Sequence, residues 1–349
     1  MKAMVLGKIG ALESAEARLT LEDLPVPAPA AGELLLKVSA CGVCHTELDE
    51  IEGRTPPPKL PVVLGHQIVG RIAQASGRGT FRAGDRVGIG WIYSSCGHCR
   101  CCRRGEENLC PDFRATGRDA NGGYAEYMTV PEISAYAIPD VFSDSQAAPL
   151  LCAGAIGYRS LRLAQLEDGQ ILGLMGFGAS AHLVLQLARQ RFPRSPVFVF
   201  ARREAEREFA RSLGAAWVGD TGAAPPEKLH RIIDTTPVWK TVLEGLAQLA
   251  PGGRLVINAI RKEDGDKDSL LRLDYAKHLW MEKEIKSVAN VARADIRDFL
   301  TLAAEIPIIP EVQEFRLEDA NRALAELKEG KIRGAKVLHT KNLTATRHT

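Results

Sequence analysis

Hydrophobic positions in the first 150 residues fall into short alternating or β-branched runs, LLLKVSA, PVVLGHQIVGRIAQ, DRVGIGWIY and YAEYMTV, separated by turns rich in glycine and proline. A period of two over such short stretches reads as half-buried strands, so this part predicts an all-β barrel or sandwich. From Leu150 the pattern changes. YRSLRLAQL has helical spacing, DGQILGLMGFGASAHLVLQLARQ reads strand, glycine turn, helix, and PVFVFA is a compact buried strand. REAEREFARSLGA then reads as a helix ending at Gly214, followed by the segments AAWVGD and RIIDTT, the helix VWKTVLEGLAQLA and the strand GRLVINAI. Strands alternating with helices predict a doubly wound parallel sheet of the Rossmann kind, with helices on both faces.

The tail, EVQEFRLEDANRALAELKEGKIRGAKVLHT, resembles neither part and reads as an exposed strand, an amphipathic helix and a closing strand. A chain of 349 residues exceeds one ordinary core, which predicts more than one domain, and the changes of pattern divide it at 1–152, 153–290 and 291–349. Lysine and arginine number 45 against 43 acidic residues, a formal charge of +2, which leaves no basic stripe for a nucleic acid. No run approaches the ~18 apolar residues of a membrane span, and the N-terminus lacks the pattern of a secretory signal. These features predict a soluble, cytoplasmic protein that binds neither nucleic acid nor membrane.

Eight cysteines in such a chain point to metal or redox chemistry, and all of them lie at or before Cys152. Cys96, Cys99, Cys102 and Cys110 have two, two and seven residues between them, in a lobe spanning about 94–112. Four closely spaced thiolates match a structural zinc saturated by sulfur, in preference to an iron–sulfur cluster or unpaired surface thiols. Cys101 falls outside the spacing and reads as a spare cysteine. A second site with an open position would need three ligands from separate segments. Cys44 in CGVCHTE, His66 in LGHQIVG and Cys152 in PLLCAGAIGY are available, although each alone reads more readily as a buried cysteine or an ordinary histidine.

Gly176, Gly178 and Ala181 form G-x-G-x-x-A between a strand and a helix, where a close-approaching pyrophosphate meets a helix N-terminus. The position at which NAD enzymes carry an acid for the ribose falls on Ala201, with Arg202 and Arg203 next. Missing acid and paired guanidiniums favour a 2′-phosphate and hence NADP, with NAD the alternative if Glu204 serves the ribose.

The segments CGVCHTE, GHQIVG, GDRVGIGWIYSSCGHC, NGGYAEY, APLLCAGAIGY and PGGRLV occur in this order. Together they resemble the zinc-dependent alcohol dehydrogenases of the medium-chain dehydrogenase/reductase superfamily, from residue 1 to about residue 339. The resemblance implies an α/β protein made of a GroES-like β domain, a Rossmann domain and a C-terminal segment returning to the first. It implies that Cys44, His66 and Cys152 hold a catalytic zinc and that Cys41 is structural. Thr46 matches the hydroxyl that binds the substrate oxygen and starts a proton relay, and Asp49 stands where several relatives end that relay with histidine. Glu47 replaces the usual second-layer aspartate, Gln67 replaces a glutamate after the histidine ligand, and Trp91 aligns with an aromatic pocket residue of some relatives.

The expectation is therefore two zinc ions per chain and hydride transfer between a small alcohol or aldehyde and NAD(P), in a homodimer or homotetramer. Two other readings are a zinc-free quinone or enoyl reductase of the same superfamily and a non-catalytic, zinc-stabilised dinucleotide-binding protein. The complete set Cys44, His66, Cys152 and Thr46 weighs against both.

Overall fold

Leu34, Leu36 and Val38 are buried in the strand Glu33–Val43, alternating with more exposed neighbours, and from Ala40 onward every residue is buried. The change follows from its partners. Its first half pairs with Tyr127–Pro131, its last four residues pair with Ala335–His339, and Ile68–Gln74 runs along the opposite edge. The computed structural model describes residues 1–12, 18–77, 79–306 and 308–340. These divide into two compact units, the first holding Met1–Cys152, Val291–Ala304 and the chain from Pro310, the second Ala153–Asn290 with Glu305–Ile309.

The first unit is mainly β. A seven-stranded sheet runs Ala135–Ala137, Arg86–Ile89, Ile68–Gln74, Glu33–Val43, Ala335–His339, Val312–Arg316, with Tyr127–Pro131 beside the long strand. A three-stranded sheet of Leu19–Asp23, Lys2–Leu6 and Val62–Val63 packs its apolar residues into the same core, where Met4, Leu34, Leu36, Ile68 and Tyr124 are buried. The tail supplies the parallel pair Val312–Arg316 and Ala335–His339, and the helix Ala320–Lys328 buries Ala320, Ala323, Leu324 and Leu327 on one face. Spacing of three and four along that helix is what lets these side chains share a stripe.

The second unit is a six-stranded parallel sheet in the order Trp217–Gly219, Val197–Phe200, Leu172–Met175, Leu229–Asp234, Leu249–Ile257, Glu284–Ser287. Numbered along the chain this is 3-2-1-4-5-6, a doubly wound order whose ligand crevice opens where the order reverses, beyond the carboxyl ends of the first and fourth strands. Leu172–Met175 and Val197–Phe200 are buried throughout, as central parallel strands must be when helices cover both faces. Glu305–Ile309, which the sequence reading places in the returning tail, belongs to this unit. Ile308 is buried, and the Ile309 N–H and carbonyl bond the side chain of Gln186 on the helix Ala179–Arg191. Among the described residues no helix is long and apolar enough to cross a membrane.

Candidate metal centres and dinucleotide turn

The cysteine-rich lobe folds around its own sulfur atoms. The N–H of Cys99 donates to Cys96 Sγ at 3.3 Å, that of Cys102 to Cys99 Sγ at 3.4 Å, and that of Cys96 to Cys110 Sγ at 3.5 Å. Cys96 Sγ lies 3.9 Å from Cys102 Sγ and 3.6 Å from Cys110 Sγ, and all four sulfurs lie within 4.8 Å of one another. Sulfurs at the corners of a tetrahedron around zinc, each ~2.3 Å from the metal, are about 3.8 Å apart, so the spacing fits that ion. The backbone N–H groups of His98 and Cys99 hold the Cys96 thiol down to about 6, favouring thiolate. Cys101 lies outside the cluster. Arg293, which begins the helix Arg293–Glu305, holds the lobe through Glu107 at 3.3 Å and Ser95 at 3.1 Å.

Three further ligand atoms converge from separate elements of the first unit. Cys44 caps the short helix His45–Ile51 directly after the long strand, His66 follows the strand Val62–Val63, and Cys152 lies in the π-helical turn Leu150–Gly154. A π turn of this kind displaces a side chain from ordinary helical spacing and recurs at functional sites. The turn before His66 depends on Gly65, whose φ is +96° and where a Cβ would stand 2.5 Å from the Tyr124 ring. His66 Nε2 lies 3.2 Å from Cys152 Sγ, and these two atoms with Cys44 Sγ all fall within 4.8 Å.

Glu47 sets the orientation of the imidazole. One carboxylate oxygen lies 2.6 Å from His66 Nδ1 while the other accepts the Cys44 N–H at 2.8 Å, so Nε2 faces the sulfurs. The longer side chain at this position reaches both groups. Burial opposes a charged imidazole, but the Glu47 carboxylate and the Cys44 contact carry the His66 pKa well above its usual value. A hydrogen bond from Cys152, reinforced by His66, holds the Cys44 thiol well below its own. Both effects favour separated charge, the condition a cation would replace.

The remaining expected residues are near but do different things. Thr46 is buried, with its hydroxyl 3.6 Å from Cys44 Sγ. Trp91 is buried edge-on to the His66 ring, centroids 4.8 Å apart, and its indole N–H makes no hydrogen bond among the described residues. Gln67 lies over Gly42, where a Cβ would come within 2.8 Å of its amide. Asp49 is held by Arg54 at 2.5 Å. The sequence reading missed Arg54, and it missed Glu50, whose two carboxylate oxygens are buried without a hydrogen bond. Burial, and then Glu47, push the Glu50 carboxyl well above its usual range. The signal available was the spacing from Glu47, three residues away on the same helix.

In the second unit Gly176 follows the first strand with φ +83°, and a Cβ there would lie 2.8 Å from Thr235 Oγ1. Gly178 caps the helix Ala179–Arg191, makes no side-chain cap bond, and has nothing within 4 Å of where its Cβ would be. That open space in front of uncapped N–H groups is what a pyrophosphate requires. Ala181, in the first turn of that helix, is fully buried. Ala201 follows the second strand with its side chain buried, and Arg202 and Arg203 are exposed. Glu204 is held by Arg207 and Arg211.

Residues 30–140 match the alcohol dehydrogenase GroES-like domain. The chain is 45% identical to a probable alcohol dehydrogenase, AdhA, of Mycobacterium tuberculosis, over 90% of both chains. It is 31% identical to an alcohol dehydrogenase of Geobacillus stearothermophilus, over 93% of this chain and 96% of that one. The crystal structure of the alcohol dehydrogenase from the archaeon Aeropyrum pernix superposes with a TM-score of 0.84 at 26% identity, covering 97% of this chain and 100% of the other. With both sulfur clusters and the doubly wound sheet in place, the chain belongs to the zinc-dependent alcohol dehydrogenases of the medium-chain dehydrogenase/reductase superfamily. Its general activity is NAD(P)-dependent oxidoreduction of the alcohol dehydrogenase type.

Proposed function

We propose that this protein transfers hydride between a primary or secondary alcohol, or its carbonyl, and NADP(H). The observation that carries the reading is the convergence of Cys44 Sγ, His66 Nε2 and Cys152 Sγ, two sulfurs and an oriented imidazole with a fourth tetrahedral position left over. Such a set fits a catalytic zinc, whereas the four sulfurs of Cys96, Cys99, Cys102 and Cys110 would saturate a structural one. A zinc ion bound there would supply Lewis acidity toward the substrate oxygen.

The chain's own residues then divide the work. Glu47 fixes the His66 tautomer, Thr46 donates or accepts the proton of the substrate oxygen, and Trp91 walls the space beside His66. Gly176 and Gly178 admit the coenzyme pyrophosphate to the N-terminus of the helix Ala179–Arg191. Ala201 contributes no carboxylate at the ribose, and Arg202 and Arg203 offer positive charge to a 2′-phosphate, so NADP is preferred over NAD.

Metal analysis of the purified protein tests this directly. Two zinc ions per chain are expected, with Cys152→Ala removing one along with turnover. Cys102→Ala should remove the other and lower stability. Turnover lost in Cys102→Ala with fold and stability unchanged would overturn the division of roles.

A further inference from the structure

The acid directly behind the coenzyme arginines, Glu204, is already taken up by other side chains. Glu204 opens the helix Glu204–Ser212, and one of its oxygens accepts from Arg207 Nη2 at 2.6 Å and Nε at 3.0 Å. Its other oxygen accepts from Arg211 Nη1 at 2.8 Å. Arg207 also reaches back to the strand end, where Nη1 donates to the carbonyls of Ala201 at 2.7 Å and Arg202 at 3.0 Å. A guanidinium has five N–H donors in a fixed plane, and four hydrogen bonds here tie one helix residue to both the acid and the turn. Arg207 is mostly buried in doing so, while Arg211 is half exposed.

We propose that Arg207, assisted by Arg211, is a positioning residue for coenzyme choice: it occupies Glu204 and pins the backbone at Ala201 and Arg202, so the Glu204 carboxylate is not free to face the 2′ position. This rests on the NADP(H) reading above. The physical argument is one of sign. A free carboxylate at the start of this helix would repel a 2′-phosphate and accept hydrogen bonds from the ribose hydroxyls of NAD. Paired with two guanidiniums, the same carboxylate belongs to a net positive group, and the held backbone keeps Arg202 and Arg203 where the strand ends. An isolated surface ion pair would have little influence, but Arg207 is fixed at two backbone carbonyls as well as at the acid, so its geometry does not depend on the ion pair alone.

Steady-state kcat/KM for NADP and NAD, with one alcohol, is measured in the parent, Arg207→Ala, Arg211→Ala, Glu204→Gln and the double variant Arg207→Ala with Glu204→Gln. Coenzyme dissociation constants from protein fluorescence accompany each, and melting curves establish folding. Arg207→Ala is expected to lower the NADP-to-NAD ratio by about tenfold, the scale of one charge-assisted hydrogen bond. Arg211→Ala, which leaves the turn untouched, should move the ratio the same way by less. The double variant should recover most of the parental ratio, because the freed acid is gone. A double variant as low as Arg207→Ala alone would overturn the proposal, since Arg207 would then act on the phosphate or on the fold and not through Glu204. If Arg207→Ala does not fold, Arg211→Ala with and without Glu204→Gln decides by the same criterion. A parent that favours NAD overturns the NADP(H) reading instead, and the direction and rescue of the shift still decide the role of Arg207.

Discussion

Thr46 stands in the first turn of the helix capped by Cys44, buried and with its hydroxyl beside that sulfur. If it carries the proton of the substrate oxygen, Thr46→Ala should reduce turnover by roughly 10²–10⁴, the value of a placed proton-transfer group, with zinc content unchanged. Full activity in that variant would remove the relay. Asp49 sits three residues on but is engaged by Arg54, so Asp49→Asn should cost turnover less and do so in a pH-dependent manner, as water takes over the outer step. Glu47 acts through His66. Glu47→Gln is expected to weaken zinc at the Cys44 site by about 10–100-fold in competition with a chelator, leaving the four-cysteine site alone. CGVCHTE shows Thr46 and Glu47 directly, because the motif carries them in order, and Asp49 follows it two residues on. It cannot show that Arg54 takes up Asp49, or that Arg207 takes up Glu204, since those pairings depend on where loop and helix backbones turn.

Among the elements, the strand Ala335–His339 shows best what periodicity leaves out. In AKVLH the lysine shares a face with Leu338 two positions on, and Lys336 is fully buried. The strand lies between Glu33–Val43 and Val312–Arg316 and is covered on both faces, so alternation no longer separates inside from outside. The ammonium is met by Glu326 at 2.7 Å from the helix Ala320–Lys328 and by the face of the Phe315 ring, 4.7 Å away. Glu326→Gln keeps an acceptor for that ammonium but removes the opposing charge, and should lower stability by about 1–3 kcal/mol, less than for a fully enclosed pair because the carboxylate is partly solvated. The hydrogen bond from Lys336 holds the Glu326 carboxyl below its usual range. Its contribution is therefore full above the ordinary carboxylate pKa and is lost as pH falls through the lowered value. Urea unfolding at neutral pH and below about pH 4 should show the gap between parent and variant closing in acid. By contrast, the parallel sheet of the second unit was legible from the alternation of apolar runs with helical spacing, most clearly at Leu172–Met175 and Val197–Phe200, which are buried whole.

At the scale of the whole molecule, the second unit leaves one region uncovered. Leu271, Leu273, Tyr275, Trp280, Met281 and Ile285 are all exposed, and they lie within fifteen residues of one another along the chain. The same stretch leads into Glu284–Ser287, the outermost strand of the six, every residue of which is exposed. Apolar side chains grouped beside an end strand are an aggregation hazard unless something covers them. The sequence reading expects a homodimer or homotetramer, and a second copy is accordingly the occupant to be tested. A two-fold axis beside the end strand would set Glu284–Ser287 against its own copy in antiparallel register and cover both apolar stretches at once. Light scattering during gel filtration should therefore give at least twice the 37.9 kDa of one chain. Leu271→Glu combined with Trp280→Glu should lower the mass toward one chain, and should leave zinc content intact because both metal centres lie wholly in the first unit. A parent that remains monomeric at micromolar concentration would show that this surface is not an interface between copies. A variant that dissociates and loses zinc as well would show that the two units depend on the assembly for more than cover.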